Sequence, residues 1–429
     1  MHKINIGLMG FGTVGSGVWK IFEENRDKIF ENCGCELEIS KILVQNIFKT
    51  RDQAVDMNLF TNNPMDILEN PDIDIVVEVM GGIDPTKDYI LKAIENKKHI
   101  VTANKALLAA HGNEIEKAAR KAKVGLYYEA SVAGGIPIIH AMKESLTANK
   151  INSILGILNG TTNYILTKMT AEKTDFESAL KEAQRKGYAE ADPTSDIEAY
   201  DAAYKLTILA RLAFGVDVQV DNVFREGITN ITPMDIEHAK ELGYTIKLLA
   251  IAKEEHGEVQ LKVHPTLIPQ EHPLAAVGDA FNAVFLKGNA VGELMFYGKG
   301  AGDLPTGSAI VGDIISLVRK REYNSTDEKK VLNNSTTRIK TMDENSAEYY
   351  IRLLVNDYPG VLGKIASIFG KYNVSLSSVI QKGKEEPTVS LVFITHLTTE
   401  RDVQNALEEI KQVPAMVDIA NLIRVEKID

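Results

Sequence analysis

Between Gly187 and Lys205 the chain reads Gly-Tyr-Ala-Glu-Ala-Asp-Pro-Thr-Ser-Asp-Ile-Glu-Ala-Tyr-Asp-Ala-Ala-Tyr-Lys, which crowds five carboxylates and one lysine into a turn that feeds a helix. Ser195 and Glu198 have capping-box spacing and predict the helix start. Gly215 follows the last apolar residues and predicts its end. Asp201 and Lys205 then stand at i and i+4, one turn apart on one face. On a wet surface such a pair is worth at most about 0.5 kcal/mol. Here the same face continues through Ile208 and Leu212, and the other side carries Ala199, Ala202, Ala203, Leu206, Ala210 and Ala213. A helix apolar on both sides is buried. Buried charges cost several kcal/mol each, to order of magnitude, unless they are paired. A chain that keeps an acid and an amine in such a place has a couple able to hold and pass a proton.

A proton couple needs a reaction partner, and the N-terminus offers a place for one. Ile4 to Met9 is a short apolar run, Gly10-Phe11-Gly12-Thr13-Val14-Gly15 follows at once, and Val14, Val18, Ile21 and Phe22 then recur at helical spacing. Strand, G-x-G-x-x-G and helix in that order form the context of a dinucleotide-binding fingerprint. Gly10 permits the tight turn, Gly12 lets backbone approach a pyrophosphate, and Gly15 lets helix and strand pack closely. The helix N-terminus adds free N–H groups and a positive dipole end. The second strand, Leu37 to Val44, ends in Gln45-Asn46 without the acid that an NAD ribose would want, and Lys49 and Arg51 follow. A cation there suits the extra phosphate of NADP, which makes Arg51 a candidate cofactor residue.

Further strands are predicted at Ile73–Met80, His99–Ala103 and Val124–Ala130, with helices between them, one capped by Asp84 with Pro85 at its first position. The alternation means a parallel, doubly wound sheet, whose ligands bind beyond the carboxyl ends of the strands. Lys105, just past the strand ending in Ala103, sits at such an end.

The whole composition agrees with a small-molecule enzyme. The chain has 429 residues, 44% hydrophobic and 25% charged, enough for several domains with real cores. A net charge of −11, spread along the chain, disfavours nucleic acid or an anionic membrane as partner. Cys33 and Cys35 are too close to bridge readily, so no disulfide framework is expected. With no secretory leader and no apolar run of membrane-spanning length, a reducing cytoplasm is the expected compartment.

Glu129 to Pro137 is glycine-rich and reads as the hinge out of the cofactor domain. Lys150 to Leu158 is a strand, and Asn159-Gly160-Thr161-Thr162-Asn163 is a turn into a helix, whose N–H groups and hydroxyls suit a substrate carboxylate. Strands follow near Leu248, Leu261, Val284 and Leu294. The glycine loop Tyr297 to Thr306 leads into a helix that could pack back on the cofactor domain. The expected division is a dinucleotide-binding domain at 1–135 with about 303–320 returning to it, a substrate-binding and dimerisation domain at 136–302, a polar linker at 321–346, and a tail module at 347–429. The tail's order, βαββαβ, is the ferredoxin-like unit. The fold class is α/β, a Rossmann domain followed by α+β substrate and ferredoxin-like domains.

The fingerprint, Val101-Thr102-Ala103-Asn104-Lys105, Asn159-Gly160-Thr161-Thr162-Asn163-Tyr164-Ile165-Leu166, Gly187 to Pro193 with Asp196, Asp201 and Lys205, and Gly300-Ala301-Gly302 with Pro305-Thr306 together resemble homoserine dehydrogenase over roughly residues 4 to 320. The tail, with Asp357-Tyr358-Pro359-Gly360-Val361-Leu362, resembles an ACT domain, a module that senses amino acids elsewhere. With no kinase segment before the fingerprint, the fused aspartokinase form is not expected. The resemblance implies NAD(P)-dependent interconversion of L-homoserine and L-aspartate 4-semialdehyde, in threonine, methionine and isoleucine biosynthesis. It assigns proton transfer to Lys205, with Lys105 flanking the hydroxyl and Asp201 orienting Lys205 or a water. By the same match Glu190 receives the substrate ammonium, Asp196 supports the network, and Gly160, Thr161 and Tyr188 contact substrate. Phe11, Thr13, Val14, Thr102, Lys105 and Gly302 line the cofactor. Some members bind a monovalent cation, such as Na+, through carbonyls matching Glu129, Val132, Gly134 and Ile136. The ACT module implies an amino-acid effector, most plausibly threonine, near Asn356, Asp357 and Gly360, and assembly into homodimers or homotetramers. An ordinary lysine, with a pKa of about 10.4, is a poor base near neutrality. Burial and a second ammonium would lower it, and Asp201 would raise it again. The rival readings are an amino-acid dehydrogenase acting on the amine, which would release ammonia, and a non-catalytic dinucleotide and amino-acid sensor, which gives no reason for two crevice lysines.

Overall fold

Six short parallel strands form the first sheet, and their order explains where its ligand crevice lies. The computed structural model describes residues 3–51, 54–322, 337–382 and 388–427. The chain divides into two compact units: one takes the residues up to Asn152, Asp201–Asn222 and the stretch from Asn282 through the helix Asp303–Glu322, and the other takes Ser153–Tyr200, Val223–Phe281 and the tail. In the first unit β1 (Lys3–Met9), β2 (Glu36–Leu43), β3 (Phe60–Thr61), β4 (Ile75–Glu78), β5 (His99–Thr102) and β6 (Leu126–Tyr127) lie in the order β3-β2-β1-β4-β5-β6. Every neighbouring pair is parallel. This is the doubly wound dinucleotide-binding order, with its switch point between β1 and β4. Ile4, Ile6 and Leu8 of β1 are buried, and the helix Thr13–Glu24 covers them with Val18, Ile21 and Phe22.

Two glycines in the fingerprint do steric work. Gly10 has φ +108°, and a Cβ on Gly15 would stand 2.2 Å from the Gly10 carbonyl oxygen. The helix Asp303–Glu322 packs along Thr13–Glu24 as closely, since a Cβ on Gly17 would meet the Asp303 carbonyl oxygen at 2.1 Å. Lys20 clasps the start of that helix by an ion pair to Asp303 at 2.9 Å.

Local expectations moved in three places. The helix after β4 runs Thr86–Glu95 with no side-chain cap, so Asp84 does not cap it. The strand expected at 124–130 shortens to β6, because the chain turns into a 3-10 helix at Glu129–Ser131. The acidic stretch forms two helices instead of one: Thr194–Ile197, then Tyr200–Phe214, with Ala199 at φ +64° between them. Ser195 therefore lies inside a short helix and caps nothing. Asp192 accepts the Thr194 N–H at 3.1 Å at its start. Its end is marked by the left-handed backbone at Ala199, and there the Ile197 carbonyl accepts the Ile228 N–H at 2.9 Å in place of a helical partner. Gly215, at φ +65°, closes the second helix as expected.

The second unit is built on the antiparallel hairpin Tyr244–Glu255 and Glu258–Pro269, with Ile151–Ile157 beside it and the helices Gly160–Glu172, Phe176–Arg185 and Pro233–Glu241. In the tail the strands Met416–Val425, Ser346–Asn356, Thr388–Thr395 and Leu376–Lys382 lie side by side in that order, antiparallel, with the helices Val361–Lys371 and Glu400–Ile410. This is the ferredoxin-like order. The tail shares the hairpin's sheet, since Thr266 and Leu267 pair with Arg424 and Val425. Buried ion pairs fasten it: Arg352 meets Asp235 at 2.6 Å, and Arg424, held on Glu400 within the tail at 2.7 Å, also reaches Glu226. Of the expected linker, residues 323–336 lie outside the described residues; after them Arg338–Ile339 pairs with Glu258–Val259.

Candidate active site

Asp201 accepts two lysines. Its Oδ2 lies 2.6 Å from Lys205 Nζ and its Oδ1 lies 2.9 Å from Lys105 Nζ. The first contact follows from one helical turn; the second joins helices distant in sequence. Asp201 and Lys205 keep 6% and 10% of their side-chain exposure, whereas Lys105 keeps 41%. The buried lysine is thus held in place and the other reaches toward solvent. Burial pushes the Asp201 carboxyl up, but the ammonium of Lys205 and then that of Lys105 outweigh it and hold the group well below the usual carboxylate range. Asp201 is therefore an anion fixed between two cations, and a proton at this site is held by a lysine.

Lys105 is placed by its strand end. Asn104 caps the helix Lys105–Ala122 by accepting the Leu107 N–H at 3.1 Å, and its amide donates to the Gly82 carbonyl at 2.6 Å. The Asn104 N–H donates to the Thr102 hydroxyl oxygen at 3.0 Å, and that hydroxyl donates to Glu78 at 2.7 Å. Glu78 also accepts the N–H groups of Met80 and Gly81. Burial raises its pKa, and these donors offset part of the rise. Sequence reasoning passed over Glu78, although an acid closing the apolar run Ile75-Val76-Val77 was a signal.

Arg211 was also missed. Its guanidinium donates to the carbonyls of Leu108 and Ala109 at 2.7 Å each, and to that of Val218 at 2.9 Å. It pins the helix carrying Lys205 to the helix carrying Lys105, which is why the two amines converge. Nothing in the sequence marks a side chain whose partners are backbone carbonyls. Arg211→Met is expected to cost about 2 to 4 kcal/mol, because three carbonyls lose a charged donor. Urea unfolding followed by circular dichroism measures it; a loss below about 0.5 kcal/mol would contradict the pinning role.

The residues expected at the cofactor cluster at the carboxyl end of the first sheet. Gly12 caps Thr13–Glu24 without a side-chain bond, and a Cβ there would meet nothing within 4 Å, so the backbone at the helix start is uncovered. That cradle fits a pyrophosphate. Thr13 is exposed and Val14 half-buried, and Phe11 packs edge-on to Phe60 at 5.6 Å. Arg51 stacks 4.3 Å over Phe60 and donates to the carbonyls of Asn46, Ile47 and Lys49, rigidifying the loop after β2. Thr102 is fully buried with its hydroxyl committed to Glu78, so it shapes the strand end rather than offering a free hydroxyl. Gly302, at φ +122°, leads into Asp303–Glu322.

In the second unit, Asn159 caps Gly160–Glu172 through the Thr162 N–H at 2.9 Å, and its amide donates to Asp196 at 2.6 Å. Thr161 is buried and donates to the Tyr188 carbonyl at 2.6 Å. Tyr188 is exposed, its ring 4.8 Å from that of Tyr164, and Glu190 follows on an exposed turn. The fold thus gathers Gly160, Thr161, Tyr188 and Asp196. Asn356 is the exposed last residue of the strand Ser346–Asn356, and Asp357 and Gly360 lie on the exposed turn before Val361–Lys371, where Gln381 donates to Asp357 at 3.3 Å.

Glu129, Val132, Gly134 and Ile136 form a buried loop. The Glu129 carboxylate accepts the N–H groups of Ile139 and His140, and Asp313 accepts the Glu129 N–H and bonds His140 Nε2 at 2.8 Å. Burial pushes the Glu129 carboxyl up to about 7. Its side chain is thus spent on structure, which leaves the backbone carbonyls as possible cation ligands. Among the described residues the carbonyls of Val132 and Gly134 accept no hydrogen bond, whereas those of Glu129 and Ile136 accept the Val132 and Ile138 N–H groups at 3.3 and 2.8 Å.

Comparison with known proteins shows the family. Residues 10–129 match the NAD-binding domain model of homoserine dehydrogenase, residues 137–315 match the homoserine dehydrogenase model, and residues 349–415 match the ACT domain. The chain is 42% identical to a Bacillus subtilis homoserine dehydrogenase, covering 99% of each. A Thiobacillus denitrificans homoserine dehydrogenase structure superimposes with a TM-score of 0.93 at 42% identity, covering 99% of each chain. A hyperthermophilic archaeal homoserine dehydrogenase in complex with NADPH gives a TM-score of 0.63 at 27% identity, over 74% of this chain and 98% of that one.

Proposed function

This chain belongs to the homoserine dehydrogenase family, and from that premise we propose how its side chains divide the reaction. The reaction is the NAD(P)-dependent interconversion of L-homoserine and L-aspartate 4-semialdehyde, a step of amino-acid biosynthesis. The nicotinamide, when bound, takes or gives the hydride. As the alcohol is oxidised, its hydroxyl proton must leave as the hydride departs. Lys205 handles that proton and returns it to the aldehyde oxygen in the reverse direction. Asp201 fixes Lys205 in place and balances its charge. Lys105, more exposed, binds the same oxygen and links the site to solvent. Glu190 receives the substrate ammonium, Asp196 holds Asn159, and the turn at Gly160 and Thr161 takes the carboxylate beside Tyr188. The observation that carries this reading is the carboxylate of Asp201 between the two ammonium groups. Nicotinamide absorbance with L-homoserine tests it; oxidation accompanied by ammonia release would instead show an enzyme acting on the amine.

For the cofactor, the Gly10–Gly15 turn takes the pyrophosphate and Phe11, Thr13, Val14 and Gly302 border it. Arg51, with no acid at the end of β2, makes NADP the preferred form. A kcat/KM higher with NAD would overturn that preference. The carbonyls of Glu129, Val132, Gly134 and Ile136 hold a monovalent cation such as Na+.

The tail binds an amino-acid effector, and L-threonine is our candidate, at Asn356, Asp357 and Gly360. Asp357→Ala is expected to raise the threonine concentration for half-inhibition about tenfold, the loss of one charge-assisted contact. An inhibition curve shows it, and parent enzyme indifferent to threonine would end the assignment. The protein works in the cytoplasm as a homodimer or homotetramer.

A further inference from the structure

Lys247, on the strand Tyr244–Glu255, is 4% exposed. Its Nζ donates to Asn163 Oδ1 at 3.2 Å and to the Val277 carbonyl at 2.5 Å, and neither acceptor carries a charge. The buried guanidiniums of the same unit, Arg352 and Arg424, sit on carboxylates. Asn163 completes a clamp, donating from Nδ2 to the carbonyls of Val277, Asp279 and Phe281 at 3.2, 3.0 and 3.1 Å. It lies in the first turn of Gly160–Glu172, two residues after Thr161. A cation beside a helix N-terminus opposes the helix dipole. An uncompensated buried ammonium is a cost to folding. Neither bond requires a charged donor, so hydrogen bonding alone does not account for the charge.

We propose that Lys247 is a positioning residue for the substrate: its buried ammonium places a fixed positive charge behind the Gly160–Thr161 turn, draws the substrate carboxylate there, and clamps the 277–281 loop against that turn. The inference rests on the reading of the turn as the carboxylate site. Burial pulls the Lys247 pKa down to about 8, and both of the acceptors given for its ammonium are neutral. Salt screens such a charge little.

Lys247→Gln keeps a donor and removes the charge; Lys247→Met removes both. Each is expected to raise the KM for L-homoserine about tenfold, as loss of a nearby unscreened charge should. kcat and the cofactor KM should stay within about twofold. The KM difference should persist at about 0.5 M KCl. 3-Aminopropan-1-ol, which is homoserine without its carboxylate, should be used no worse by the variants than by the parent. If Lys247→Met fails to fold, the glutamine variant still decides. A homoserine KM in Lys247→Gln equal to the parent's would overturn the proposal and leave the residue a hydrogen-bonding clamp. Thr161→Val separates the failures: a raised KM there with none in Lys247→Gln rejects Lys247 alone, whereas no change in either rejects the turn as well.

Discussion

Replacing Lys205 by alanine is expected to lower kcat about a thousandfold, within the range that a positioned acid–base group supplies. The affinity for NADP should move by less than about twofold, because the fingerprint turn and Arg51 are untouched. Lys205 keeps 10% of its side-chain exposure and is held 2.6 Å from Asp201, so its amine is fixed at the site and alanine leaves no proton-bearing group in its place. Lys105 shares the carboxylate but points to solvent, and it should rescue only a minor part of the rate. Stopped-flow absorbance gives the rate and fluorescence titration of NADPH gives the affinity. Turnover within about tenfold of the parent would remove Lys205 from the proton path.

Asp201→Asn should damage both rate and fold. The substitution keeps the shape but leaves two ammonium groups facing each other around a neutral amide. Breaking a buried pair in this way costs about 3 to 5 kcal/mol, and the exposed Lys105 can relieve part of it by turning into water. Losing the carboxylate also removes the charge that favours protonated Lys205, so the pH–rate profile should move toward lower pH. The stability effect has a definite pH window. The folded carboxyl of Asp201 is held below its unfolded value, so its contribution is fully present above the unfolded pKa of about 3.9 and fades as pH falls below it. Urea unfolding should therefore show the full deficit of the variant at neutral pH and a shrinking one below about pH 4. A deficit that stays constant into acid would mean that the charge of Asp201 does not stabilise the fold.

Some of this could be read along the chain. Gly10, Gly12 and Gly15 between an apolar strand and an apolar-periodic helix gave the cofactor turn, because its requirements are local: a positive φ at Gly10 and no Cβ at Gly15. Asp201 and Lys205 were legible because one helical turn brings i and i+4 together whatever surrounds them. The strand and helix order of the tail was legible for the same reason, periods of two and 3.6 needing only near neighbours.

Other parts were set by neighbours that the sequence does not list side by side. Lys105 could be placed at a strand end, but not on Asp201. Arg211 holds the two lysine helices together through carbonyls, and a carbonyl has no identity in the sequence. The helix expected from Ser195 stops at Ile197, where Ala199 turns left-handed and Ile228, from a later segment, bonds the Ile197 carbonyl. Glu78 and Lys247 look like ordinary strand residues until burial and distant acceptors give them roles. The sequence by itself determined the dinucleotide turn, the acid–amine pair and the class of each domain, since these depend on steric and electrostatic rules acting within a turn or a strand. Only the tertiary structure decided which second lysine completes the pair and which buried groups hold the turns in place, because those contacts are made by backbone atoms and by side chains far apart along the chain.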